Sequence, residues 1–211
     1  MTMTTNPADL HVPGTRPYAW PWDGAMRPDS LALVVVQAPE APPDGGWRAA
    51  LTELSRAVRT AGGLVVEVLT SAPDLPRRIP SDSPGSPRVT TAPPTTLLPT
   101  TVVPTPADHR LDSAGWSGFH SSPLDHLLRS RRISQILMTG YWFEVGVHST
   151  MRAANDRGYE CLLVEDAVAS YDPELTASAV SSILMSGGIF GAVGGSADVV
   201  AALARPGPTP R

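Results

Sequence analysis

Ile133-Ser-Gln-Ile-Leu-Met-Thr-Gly140, the helix-length segment Glu144 to Arg157 closed by Gly158, and Glu160-Cys-Leu-Leu-Val-Glu165 together decide the fold. The flanking runs are short and apolar, as strands buried on both faces are, and a strand–helix–strand unit makes its two strands parallel neighbours. Working outward, Leu31-Ala-Leu-Val-Val-Val36 is another such strand, stopping at Gln37 and the breaker Pro39. Trp47 to Ala61 sets Leu51, Leu54, Ala57 and Val58 opposite Arg48, Glu53, Arg56 and Arg59, and Gly62-Gly63 ends that helix. Leu64 to Thr70 is a strand. Ser122 to Arg131 is a helix with Leu124, Leu127 and Leu128 inward, and Pro173 to Met185 is another. Ile189-Phe-Gly191 is a short segment before a last helix, Ser196 to Leu203. This alternation predicts a three-layer α/β/α fold around a central, mostly parallel sheet. In such sheets ligands bind beyond the carboxyl ends of the strands, which gathers Gln37, Thr70 to Ser71, Gly140 to Phe143 and Asp166 at one mouth.

Composition narrows what the mouth can do. The 211 residues, 42% apolar and 17% charged, suit a single domain over 31–204, with an arm over 1–30 and a tail over 205–211. The 23 prolines concentrate in 13–43, in 73–106 and in the tail, and the Pro/Ser/Thr-rich stretch 72–107 reads as a lid or binding loop. All 16 basic residues are arginine, so Schiff-base and lysine general-base chemistry are excluded. A net charge of -4 without a basic run offers no footprint for nucleic acid. The apolar run Leu31 to Val36 is too short to cross a membrane, and the first ten residues carry no secretory core. The single cysteine, Cys161, permits neither an intrachain disulfide nor a multi-cysteine zinc site, and within a buried strand it reads as an inert small hydrophobe. We expect a cytoplasmic protein without metal or cofactor, since no His/Asp/Glu group has metal-ligand spacing.

Several segments in order then resemble the isochorismatase-like cysteine hydrolase family, in its amidase-like branch. They are Ala32 to Val36, Gly115-Trp-Ser-Gly-Phe119 with Leu124-Asp125, Ile136 to Val147 with Thr150, Ala154 and Gly158-Tyr159, Val164 to Ala169, and Ser186-Gly-Gly-Ile-Phe-Gly191. The opening Arg16-Pro-Tyr-Ala-Trp-Pro-Trp-Asp-Gly24 is similar to that branch's N-terminal arm. The resemblance implies a triad: an aspartate ending the first strand, a lysine before the middle aromatic motif and a cysteine opening the helix after the glycine. The charged pair prepares a thiolate, and the helix N-terminus steadies the oxyanion. At those positions this chain has Gln37, Ser113 and Gly146. Family members that cleave the vinyl ether of isochorismate also carry glycine in the cysteine's place, yet need the aspartate as proton donor, and Gln37 has no ionisable proton. Neither amidase nor vinyl-ether hydrolase activity is expected.

What remains is a neutral pocket, less costly to fill with an apolar or aromatic ligand. The expected ligand-binding residues are Trp116, Phe119, His120, Tyr141, Trp142, Phe143 and Glu144, although Glu144, a first-turn carboxylate, is more simply a helix-dipole partner. His126 and His148 read as helix-surface residues, Asp108-His109 as loop-shaping and Asp166 as a structural residue closing a strand-end turn. Three functions fit. One is a non-hydrolytic catalyst of cyclisation, elimination or rearrangement, working by shape, desolvation and neutral hydrogen bonds. The others are a silent subunit that stabilises an active relative in a hetero-oligomer, and a ligand-binding or sensor protein. We expect a homo-oligomer or a hetero-oligomer with an active relative.

Overall fold

A computed structural model describes residues 10–38, 45–71 and 107–205. Their strands are β1 (Leu31–Gln37), β2 (Leu64–Thr70), β3 (His109–Ser113), β4 (Gln135–Tyr141), β5 (Glu160–Ala169) and β6 (Ala192–Gly194). They form one all-parallel sheet in the order β3-β2-β1-β4-β5-β6. Helices α1 (Trp47–Thr60), α2 (Leu124–Ser130), α3 (His148–Asn155), α4 (Thr176–Gly188) and α5 (Ser196–Leu203) cover it.

Side chains alternate across the strands, so β1 divides its residues between two cores. Leu31, Leu33 and Val35 pack with Leu51, Leu54 and Val58 of α1 and Val199 and Ala202 of α5. Ala32, Val34 and Val36 pack with Leu124 and Leu128 of α2 and Met151 and Ala154 of α3. All seven β1 residues are buried, as a central parallel strand requires. Sequence neighbours of β1 lie on one side of it and β4 on the other, so the order reverses between β1 and β4. The crevice of an open α/β sheet opens at that switch point, above Gln37 and Tyr141.

Residues 10–30 are stitched to the far edge of the sheet. Arg16 and Val193 exchange backbone hydrogen bonds at 3.0 and 2.8 Å, Arg16 pairs with Glu165 at 2.7 Å, and Trp20 is wholly buried. This gives the short edge strand β6 a partner.

The structure corrects the sequence-derived boundaries in four places. β3 was not expected, because its outer residues are polar, as an edge strand tolerates. The helix expected from Glu144 begins instead as a π-turn over Phe143–Val147, and α3 proper starts at His148. Pro173 opens a 3-10 turn, and α4 follows it from Thr176. Between the short segment Ile189 to Gly191 and the last helix lies β6, a strand that was not expected. The expected lid over 72–107 and the tail lie, except for Ala107 and Arg205, outside the described residues.

Candidate functional site

The wall of the crevice starts from a glycine. Gly140 has φ +119°, and a Cβ there would fall 1.9 Å from the Val36 carbonyl oxygen, so β4 approaches β1 at a distance only glycine allows. Beyond it the Tyr141–Trp142 peptide is cis. The π-turn then aims the amides of Val145, Gly146 and Val147 at the single carbonyl of Trp142, at 3.3, 2.8 and 3.2 Å. These amides are spent within the turn.

A Cβ at Gly146 would meet Val36 Cγ1 at 3.3 Å, Thr70 Oγ1 at 3.4 Å and the Trp116 carbonyl at 3.8 Å. Thr70 and Ser113 are register partners and belong by alternation to the same face of the sheet as Val36. Gln37 does not. Its amide turns to the α1 face, where Nε2 donates to Glu67 Oε1 at 2.7 Å while Arg110 Nε pairs with Glu67 Oε2 at 2.7 Å. The Glu67 side chain is 4% exposed, the one buried carboxylate among the described residues. The Gln37 carbonyl accepts Thr70 Oγ1 at 2.9 Å. Thus Ser113, Thr70 and Gly146 come together and the Gln37 amide is separated from them. Sequence reasoning passed over Glu67; its signal was a lone charge inside the apolar strand Leu64–Thr70.

Ser113 is a loop organiser in this geometry. Its Oγ lies 2.6 Å from the Ser117 carbonyl, 3.0 Å from that of His120 and 3.2 Å from that of Gly115, so one proton has three acceptors. Thr150 Oγ1 ties the same loop to α3, donating to the Gly146 carbonyl at 2.7 Å and accepting the Gly118 amide at 2.8 Å.

The expected aromatic wall divides in two. Trp142 meets Trp116 edge-on at 5.7 Å, Tyr141 at 6.4 Å and Tyr171 at 4.7 Å. Trp116 and Trp142 are half-buried and Tyr171 is exposed, so these three keep ring surface open. Phe143 is wholly buried in the core, and Phe119 stacks on Tyr159 at 6.0 Å with Arg157 over its ring. His120 is exposed, its ring lying against Gly115. Glu144 accepts the backbone N–H groups of Tyr171 and Asp172 at 3.2 and 2.8 Å, holding in place the loop that carries Tyr171. Tyr171 was missed because nothing in its local sequence marks it; the β5–α4 turn brings it there. Asp166 caps α5 through the Ser196 amide and hydroxyl at 2.8 and 2.6 Å, the structural role expected of it.

The remaining titratable groups stand apart. Cys161 is wholly buried, and burial pushes its thiol up, away from nucleophilic use. No group of His, Cys, Asp and Glu among the described residues could hold a metal, and no described helix is long and apolar enough to cross a membrane. His126 is exposed as expected, but His148 is not a surface residue. It is half-buried, its Nδ1 accepts from Arg152 Nε at 3.3 Å, and its buried Nε2 has no partner. Arg152 in turn reaches Ser182 Oγ of α4 at 3.1 Å and lies 3.9 Å over Phe190. Burial, and then the Arg152 charge, hold His148 below the usual histidine range. A depressed folded pKa means that the unfolded chain binds the proton first, so the contribution is complete above about pH 6.5 and is lost as pH falls below it. We expect the melting temperature to fall more between pH 7 and pH 5 in the native chain than in His148→Gln. Parallel melting curves would refute this.

An isochorismatase domain matches residues 34–194. Over 74 residues the chain is 39% identical to a ureidoacrylate amidohydrolase of Enterobacter sp. strain 638, a match covering 35% of this chain and about a third (32%) of that enzyme. Among solved structures, an isochorismatase family protein from Burkholderia thailandensis superposes with TM-score 0.66 at 28% identity, covering 85% of this chain and 98% of the other. A cysteine hydrolase from Pseudomonas syringae pv. phaseolicola shares the fold at TM-score 0.61 and 22% identity, covering 84% and 94%.

Proposed function

This chain belongs to the isochorismatase domain family, and from that premise we propose that it has given up the family's hydrolysis and uses the crevice to hold a small, largely apolar or aromatic molecule for a non-hydrolytic step. The observation that carries this reading is the neutral surrounding of position 146, formed by Val36 Cγ1, Thr70 Oγ1 and the Trp116 carbonyl. Cleaving an amide, as the name of the curated relative describes, needs a nucleophile and a base, and Ser113 and Gly146 supply neither. Trp116, Trp142 and Tyr171 would pack the ligand, above a floor that the buried Thr70 helps to form. Gln37 acts as a positioning residue, fixing Thr70 through its carbonyl and Glu67 through its amide. Cyclisation, elimination and rearrangement suit such a site, because they draw on confinement and orientation rather than on an ionised triad.

A second reading, a supporting subunit, is favoured by α4. Its sequence from Thr176 to Gly188 has no charged residue, and Leu175, Met185 and Ile189 on or beside it are 48, 50 and 58% exposed. An uncharged face can meet its own copy, or that of a relative, without like charges opposing.

Native mass spectrometry of the protein purified from its own host tests both readings. A retained small molecule, lost in Trp142→Ala and Trp116→Ala while the fold persists, is the expected result. A heteromer with a relative that carries the full triad, and no small molecule, would overturn the first reading in favour of the second.

A further inference from the structure

On the opposite side of β5 from the crevice, between the N-terminal arm and the turn after α4, is a cleft of about 430 Å³. Its walls include Tyr18 and Trp22 on the arm side, Gly188 and Ile189 on the other, and Glu160 on the sheet. Two glycines set its width: a Cβ at Gly188 would fall 2.7 Å from Pro17 Cγ, and one at Gly191 would fall 2.3 Å from the Cys161 carbonyl. The turn can lie this near the arm and β5 only without side chains there. We infer that this cleft is a second ligand site, built for a small organic cation of the quaternary or alkylammonium kind.

Three observations converge. Trp22 is 71% exposed and meets Tyr18 edge-on at 5.3 Å, leaving indole surface open beside the cleft, a costly arrangement unless something covers it. An indole face attracts cations, most strongly where water is thinned. Burial pushes the Tyr18 phenol up to about 12, so its ring stays neutral. The second observation is charge. Among the described residues, Glu160 is the only charged one lining the cleft, and it forms no ion pair there. Nearby Asp23 adds negative field and His11 opposes it. The third is that the Glu160 carboxylate accepts the backbone N–H groups of Trp22 and Asp23. Those bonds fix its position and use lone pairs that a hard metal ion, which takes six or more oxygens, would require. A diffuse organic cation needs only the field and apolar contact, and the cleft volume suits a small ligand. An anion finds no cationic residue in the lining.

Isothermal titration of the full chain with choline and with its uncharged isostere 3,3-dimethylbutan-1-ol tests the assignment. Choline should bind at least about tenfold more tightly than the alcohol. Binding should be lost in Trp22→Ala and in Glu160→Gln, the latter keeping an acceptor oxygen for the Trp22 amide, and should be unchanged in Trp142→Ala. Equal affinity for the two probes, no binding of choline, or choline binding that survives in Glu160→Gln would overturn the inference. So would a loss in Trp142→Ala instead, which would move the cation to the crevice.

Discussion

Gly140→Ala should fail to give a stably folded protein. A methyl group at this position meets the Val36 oxygen at 1.9 Å, its nitrogen at 2.7 Å and its carbonyl carbon at 2.8 Å, all backbone of the central strand. β1 has no freedom to withdraw, since it is wholly buried and paired on both sides by β2 and β4. The φ of +119° adds a conformational penalty for any L side chain. Steric overlap with a fixed strand belongs to the rare class of substitutions that cost more than about 4 kcal/mol, a large part of a domain's total stability. Expression in the soluble fraction and a urea melt provide the measurement; a cooperative transition near that of the native chain would show that β1 can shift.

The second large effect is on catalysis. Amide substrates of the family, ureidoacrylate included, should be hydrolysed at no more than the uncatalysed rate, and Gly146→Cys alone should leave that unchanged. A thiol placed at 146 would face a valine methyl, a threonine hydroxyl and a carbonyl, none of which takes its proton. With no basic group among these nearest described neighbours, its pKa stays near or above the ordinary value of about 8.5, and little thiolate forms at neutral pH. The π-turn amides that could steady an oxyanion are committed to the Trp142 carbonyl. Two readouts separate the causes: alkylation by iodoacetamide reports thiolate at 146, and amide turnover reports the rest. Rapid alkylation, or turnover well above background in Gly146→Cys, would contradict this account of the site.

The sheet and the helices were readable because burial writes itself into residue type. Leu31 to Val36 and Cys161 to Val164 have the short, continuous apolar composition of interior strands, and Gly158 and Gly62 stop their helices by conformation alone. β3 escaped notice because an edge strand with His109, Arg110 and Asp112 has no apolar signature. Less of the candidate site was legible. Trp116 meets Trp142, and Gly146 lies beside Thr70 and the Trp116 carbonyl, but Gln37 is one residue out of phase with Val36, and a single step along a strand moves a side chain to the other face. Sequence spacing alone could not say which of the two faces position 146. Nor could it reveal that the Ser113 hydroxyl is engaged by its own loop, since those three carbonyls belong to backbone. Phe119 and Phe143 were read with the wall because they are aromatic and adjacent to it, and their burial separates them from Trp116 and Trp142.

The stitch between Arg16 and Val193 also bears on synthesis. The arm is made before its partner strand, and 176 residues lie between the two halves of one backbone pair. Until β5 and β6 have been made, Trp20 lacks the interior that buries it in the folded domain. Docking of the arm is therefore a late event, entropically the closure of a loop that spans the sheet domain. A release defect or truncation upstream of Ala192 would leave the arm without its partner and the nascent sheet open at one side, a state prone to associate with other unfinished chains.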